Sequence, residues 1–344
     1  MRRLVFITQQ VDPAHPALAA TVPKLRALAE RVDELVVLAD GAVPQALPAN
    51  ARVRPFSSRT KAGRGVRFEV ALARELWPRP VGVVAHMCPI YAVLAAPLAR
   101  PLRVPLVLWY THWHASATLR AAARAATAIA SVDRRSFPFA SAKVRAIGHG
   151  IDLAEFPCRQ RVGDDQFRLL ALGRYSPAKG LDVVLRAVRR LLDGGLDVRL
   201  ETHGPALSTL EREHRSQLRK LVTELRLGDR VELGEAVIRA QVPELFAAND
   251  VLVNNMRAGA PDKVVYEAAA SCVPAFASNP VFDMLLPDEL RFAREDPRAL
   301  ADRLAAFAAH GPEHRARLGH TLRETVAREH SVYNWAERIL ELAR

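Results

Sequence analysis

Short, uninterrupted apolar runs alternate with longer stretches of helical spacing almost from end to end of the chain. Residues 4–8, 34–39, 81–85, 106–110, 128–132 and 143–147 have strand length, and stretches such as 18–28, 66–77 and 116–126 between them place apolar residues on one helical face. Strands built from Val, Leu and Ile without polar alternation are buried on both faces, as in a parallel sheet covered by helices. After residue 166 the alternation restarts. Strands are predicted at 167–172, 198–202, 231–233, 251–254 and 273–277, with helices at 181–192, 208–225, 243–248 and 263–270. Three helices near 297–309, 312–328 and 332–343 close the chain.

The segment GHGIDLAEFPCRQRVGDDQ (148–166) breaks the pattern with glycine, proline and charge. It predicts two domains, 1–150 and 167–330, joined by a linker at 151–166, with the final helix at 331–344 packing back on the first. The fold class is α/β, with two Rossmann-like, doubly wound parallel sheets. Ligands of such sheets lie outside the carboxyl ends of the strands, so the expected active site is the cleft between the domains.

Composition sharpens this picture in one respect. With 344 residues, 50% apolar and 25% charged, the chain has the balance of a soluble globular protein and not of a disordered or fibrous one. The formal net charge of +12 is unevenly distributed. Residues 1–150 hold 21 Lys+Arg against 8 Asp+Glu, a net of +13, and residues 151–344 hold 28 against 29, a net of −1. Eight of the basic residues fall between Arg52 and Arg79, interleaved with apolar positions at helical spacing for much of the run. That pattern suits an anionic partner for the first domain, such as an anionic membrane surface. The start is too short in apolar residues for a signal peptide, and residues 91–110 carry Arg100, Arg103 and three prolines, so no membrane span is expected. The three cysteines (Cys88, Cys158, Cys272) are odd in number and scattered, which points to no disulfide framework and to a reducing, cytoplasmic compartment. His310 and His314 stand four apart without a carboxylate pattern typical of a metal site.

Two motifs carry chemistry. In LLALGRYSPAKGLDVVLRA (169–187) a buried strand ends in Gly173-Arg174, and Lys179-Gly180 opens an amphipathic helix. Glycine admits a ligand to the backbone, the helix start offers free amides, and two cations converge, a combination that suits a diphosphate. It is not a Walker A loop, since Ala178 and Gly180 stand where that motif needs glycine and Ser/Thr. The alternative is that Arg174 and Lys179 solvate a loop. In RAGAPDKVVYEAAASCVPAFASNP (257–280), Asp262 can cap a helix in which Glu267 is the one carboxylate among small, apolar residues. Such a group needs a partner. A ribose diol is one reading, and a salt bridge to an arginine the other.

These motifs, with GHGIDLAEF (148–156), THGPAL (202–207), VPELFAANDVLV (242–253) and DKVVYEAAASCVP (262–274) in this order, resemble the family-4 retaining glycosyltransferases of the GT-B fold, in glycosyl transferases group 1. The resemblance covers about 142–280 and the final helix, and is looser in the first half, where PLVLWYTHWHAS (105–116) carries it. It implies transfer of a sugar from a UDP- or GDP-sugar to an acceptor hydroxyl, lipid-linked or a polysaccharide, at the cytoplasmic face of a membrane. Arg174 and Lys179 would hold the diphosphate beside Gly173, His203 and Gly204. Glu267 would hold the ribose, and backbone atoms of Glu235 to Val237 the base. His112 would meet the sugar's 6-hydroxyl, with His114 as the alternative. The turn at Gly259 and Ala260, with Asp262 and Lys263, would complete the donor site.

Two positions depart from the family. A glutamate usual eight residues before Glu267 is Gly259 here, and the first βα turn, TQQVDPAHPALAA (8–20), has no glycine. No Asp-x-Asp motif occurs, so neither metal nor other cofactor is expected. A sugar-nucleotide epimerase or hydrolase on the same fold is the alternative function. A nucleic-acid binder is the reading least supported, because no helix-turn-helix, zinc finger or RNP-type motif accompanies the charge, and no nucleic-acid partner is expected.

Overall fold

The computed structural model describes residues 2–15, 18–159, 161 and 165–344. They divide into two compact units, one of the described residues up to Asp152 together with Glu329–Arg344, the other Leu153–Arg328. Of the segment read as a linker, residues 160 and 162–164 lie outside the described residues.

The first unit is built on seven parallel strands, β1 (Arg3–Val11), β2 (Glu34–Ala42), β3 (Ala51–Pro55), β4 (Gly82–His86), β5 (Leu106–Trp109), β6 (Ala128–Ser131) and β7 (Val144–Ala146), in the order β3-β2-β1-β4-β5-β6-β7. The uninterrupted apolar runs form its centre, where Leu4 to Ile7, Val83 to Ala85 and Val107 to Leu108 have no exposed surface. Helices α1 (Thr21–Ala29), α2 (Lys61–Glu75), α3 (Pro89–Ala99) and α4 (Ala117–Ala125) connect the strands. Strand β3 is not legible as an apolar run, because an edge strand need not be apolar on both faces. Its ARVRP sequence carries Arg52 and Arg54 out to Glu75, at 2.7 and 3.0 Å. Helix α2 starts five residues earlier than the apolar spacing predicts, because the Thr60 hydroxyl accepts the Gly63 amide at 3.1 Å and caps it.

The second unit has five parallel strands, β8 (Phe167–Leu172), β9 (Val198–His203), β10 (Val231–Leu233), β11 (Val251–Asn254) and β12 (Ala275–Ala277), in the order β10-β9-β8-β11-β12. Its helices are α5 (Leu181–Asp193), α6 (Thr209–Glu224), α7 (Val242–Ala248), α8 (Lys263–Ala270), α9 (Pro297–Ala309) and α10 (Pro312–His330). The last helix, α11 (Val332–Leu342), packs against α1 in the first unit. Both sheets are wholly parallel and buried between helices, the α/β doubly wound class expected from the strand composition. No helix among the described residues is long and apolar enough to cross a membrane.

The cysteine expectation is corrected. Cys158 and Cys272, 114 residues apart, form a disulfide, and Cys88 is the free, buried thiol. A pairing over that distance leaves no local spacing to read, and the argument for a reducing compartment loses its basis. The reading of His310 and His314 changes as well. Glu289 lies with both rings, its carboxylate 3.5 Å from His314 Nε2, so a carboxylate does accompany the pair.

Candidate functional site

In the second sheet the strand order reverses between β8 and β11, and a doubly wound sheet opens its crevice at such a reversal. A small pocket sits there, lined by Gly173, Lys179, Thr202, Asn254 and Asn255, at the carboxyl ends of β8, β9 and β11. The chain enters it through Gly173, whose φ of +133° favours glycine. A Cβ on Gly204 would collide with the Gly173 carbonyl, so both glycines are required for the close approach of these two strand ends. Gly180, with φ +55°, then turns the chain into α5, and the Asn255 amide donates to its carbonyl at 2.9 Å. The amides of the first α5 turn and the Lys179 ammonium thus converge at one strand end, where a helix start favours an anion.

Lys179 is held in place. Its ammonium pairs with Asp262 and donates to the Leu172 carbonyl at 3.3 Å, and the same Asp262 oxygen accepts from Asn254 at 2.8 Å. Asp262 precedes α8, but its side chain makes no capping hydrogen bond there. It ties the second motif to the first. Lys179 and Asp262 of the predicted site are therefore together. Arg174 is turned elsewhere. Its guanidinium, 62% exposed, pairs at 3.2 Å with Glu211, a residue of the capping box that starts α6.

Glu267 is buried on α8 and meets Arg239 and Lys263, each at 2.8 Å, both on Oε1. Burial alone would push this carboxyl up, but the two cations together hold it below the usual carboxylate range. The arginine partner weighed as an alternative is present, and it is Arg239, which also donates to Glu155 at 2.9 Å. Arg239 stands 28 residues from Glu267 in a short helical turn. Nothing in its local sequence marks it. Asn254 and Asn255 had a signal, since two amides closing an apolar strand must find partners.

His203 spans Glu201 at 2.6 Å through Nε2 and the Glu235 carbonyl at 3.2 Å through Nδ1. The Glu235 carboxylate is held by Arg215 at 2.7 Å, and Val237 follows half-buried. Gly259 and Ala260 form a turn whose carbonyls accept from Asn279 at 3.4 and 3.3 Å. Gly259 has φ +126°, a conformation that a glutamate would adopt only under strain. His112 follows β5 in the first unit. Its Nδ1 accepts the His114 amide at 3.1 Å, so in the neutral ring Nε2 carries the proton. The His114 ring is exposed.

Residues 155–325, about half of the chain, match the family model described as Glycosyl transferases group 1. Through its second unit the chain belongs to this family. It is 30% identical over 225 residues to the D-inositol 3-phosphate glycosyltransferase 1 of Catenulispora acidiphila, an alignment covering 57% of this chain and 53% of that protein. The chain thus spans about half the length of the curated relatives it matches. Among solved structures, sucrose-phosphate synthase (tll1590) from Thermosynechococcus elongatus superposes with a TM-score of 0.77 at 18% identity, over 99% of this chain and 98% of that one. Anabaena Alr3699/HepE, solved in complex with UDP and glucose, gives 0.77 at 16% identity over 99% of both chains. At such identities the likeness is one of fold, and the fold is the GT-B type with two Rossmann-like domains that the group 1 resemblance implies.

Proposed function

We propose that this chain is a glycosyltransferase that moves a sugar from a UDP- or GDP-sugar to an acceptor hydroxyl with retention at the anomeric carbon. The observation that carries this reading is Lys179, set at the reversal of the second sheet beside the free amides of α5 and held there by Asp262. Departure of the diphosphate builds charge on its bridging oxygen, and a cation and amides already in place stabilise that charge without reorganisation. An arriving diphosphate competes with Asp262 for Lys179. Arg174 joins only if it leaves Glu211. Glu267, kept ionised by Lys263 and Arg239, accepts from the ribose diol on the oxygen those cations leave open. Backbone of Glu235 to Val237 meets the base. With these cations, no metal is needed to neutralise the diphosphate.

The acceptor belongs to the first domain in this reading, and an inositol-type phosphorylated polyol is the first to test, given the name of the relative above. The basic run there is less free than its count suggests, since Arg52, Arg54 and Arg64 are paired with Glu75 and Asp40. What supports membrane attachment instead is the exposed face of α2 and the residues after it. Val66, Val70 and Trp77 form an apolar stripe flanked by Lys61, Arg67 and Arg74.

Thermal-shift screening of the full chain against a panel of nucleotide sugars tests the donor site. A donor at 100 times its Kd adds about 2.7 kcal/mol of stability. Product analysis by NMR with inositol phosphate present then reads the anomeric outcome. Absence of any shift across the panel, with no product, would overturn the reading.

A further inference from the structure

The Cys158–Cys272 pair lies away from the pocket at Lys179 and has a third member. His320 of α10 sits against both sulfurs, Nδ1 3.7 Å from Cys272 Sγ and Nε2 3.9 Å from Cys158 Sγ. One ring nitrogen and the two sulfurs all lie within 4.8 Å of one another. We propose that Cys158, Cys272 and His320 form a binding site for a soft divalent ion of the zinc class, open when the disulfide is reduced and closed when it is formed.

The geometry is that of a zinc ligand set with one bond in the way. With Zn–S near ~2.3 Å and Zn–N near ~2.0 Å, a tetrahedral site places sulfur and nitrogen about 3.6 Å apart and the sulfurs about 3.8 Å apart. Nδ1 stands near the sulfur–nitrogen spacing from Cys272 and Nε2 from Cys158, so the ring must turn to bring one nitrogen to both sulfurs, a shift starting from within 4.8 Å. The sulfurs reach theirs by side-chain rotation once unbonded, from Cα atoms 5.1 Å apart. A water completes the fourth position on the exposed His320 side.

The frame holds without the disulfide. Arg323, one turn beyond His320 on α10, donates to the Phe156 carbonyl at 2.5 Å and to the Ala270 carbonyl. Those carbonyls stand two residues before Cys158 and two before Cys272, so one guanidinium ties both cysteine segments to the helix that carries the histidine. Gly319 brings α10 against the Cys272 segment alone, because any Cβ there would strike the Cys272 carbonyl. Cys272 itself is held at φ +61°, a conformation non-glycine residues rarely adopt.

The chemistry balances. A dithiol reductant is oxidised to its disulfide, its two electrons cleave the Cys158–Cys272 bond, and each sulfur takes one proton. The metal ion then displaces both protons as the thiolates bind. The site is independent of sugar transfer, so its test is as well.

Cobalt(II) titration of the full chain, reduced by a phosphine and compared with the oxidised chain, reads thiolate coordination directly. We expect one cobalt per reduced chain with a thiolate-to-metal charge-transfer band, lost on adding zinc, and no band for the oxidised chain. His320→Ala should weaken binding at least tenfold, and Cys272→Ser should remove the band. A reduced wild-type chain without the band, or a Cys272→Ser chain that binds as tightly as wild type, overturns the proposal. A second measurement needs no variant. Zinc should slow alkylation of Cys158 and Cys272 in the reduced chain at least tenfold, read by peptide mass spectrometry, and equal rates with and without zinc would also overturn it.

Discussion

Where strand order reverses in the first sheet, between β1 and β4, His86 lies against Phe6 with ring centroids 5.4 Å apart, and Trp109 and Trp335 close the stack. Where it reverses in the second, between β8 and β11, Lys179 stands among Asn254, Asn255 and Asp262. The scaffold is the same, and the side chains placed at the reversal decide its use. In the first unit the opening is filled by aromatic rings, with the Lys24 ammonium 5.2 Å from the Trp109 ring centre and 5.3 Å from that of Trp335. In the second it is left to polar groups, and two glycines allow the strand ends to approach closely.

Breaking the filled opening has the largest expected effect. Trp335 has no exposed surface and belongs to α11, the element that returns to the first unit from the end of the chain. Trp335→Ala should cost about 3–5 kcal/mol, as expected for a large aromatic removed from a core. Chemical denaturation with a probe in each unit checks it, and loss of stability confined to the second unit would contradict the assignment.

The polar opening is broken by Lys179→Ala. Turnover should fall about 10²-fold, equivalent to ~3 kcal/mol of transition-state stabilisation. Far-UV circular dichroism should be unchanged, since the ion pair with Asp262 is partly exposed. Steady-state kinetics with the donor found by thermal shift is the measurement, and near wild-type kcat would remove Lys179 from the diphosphate.

The two openings also differ in their response to acid. His330 is half-buried in the first unit, and its pKa is pushed down to about 4, chiefly by desolvation. His86 is held well below the usual range, by burial first and then by Lys24. In both cases the unfolded chain takes up a proton before the folded one, so stability is full above about pH 6.5 and is lost as pH falls. Between pH 7 and pH 5, His330 alone should remove about 2 kcal/mol from the first unit. Glu267 is a carboxylate held below its ordinary value, so its contribution stays in place down to the unfolded carboxylate range and is lost only below it. Amide hydrogen exchange at pH 7 and pH 5 should therefore loosen the first unit ahead of the second.

The parts legible in the sequence were those with a local physical signature. Apolar runs marked the central strands of both sheets, because burial on two faces demands them. A strand ending in glycine, followed by a cation at a helix start, marked Lys179. What escaped had no such signature. The edge strand β3 is polar because solvent covers it, and Arg239 and Glu267 meet across 28 residues. The Cys158–Cys272 pair closes over 114. Asp262 was legible as a helix start and misread as a cap, since its side chain serves Lys179 instead.

Arg174 gives the smallest expected effect and the sharpest division within the polar opening. The motif treats Arg174 and Lys179 as equal partners of the diphosphate, while the structure separates them. Lys179 is 16% exposed and bound at the pocket, and Arg174 is 62% exposed and paired with Glu211. An exposed pair of this kind contributes at most about 1 kcal/mol, and a cation that must first leave a partner is not preorganised. Arg174→Ala should therefore lower kcat about tenfold or less, with the loss reduced further at high salt, where screening weakens exposed charges. The kinetic comparison with Lys179→Ala decides the point. Equal losses would mean that Arg174 abandons Glu211 when the donor binds, and Glu211→Gln should then raise donor affinity by freeing it.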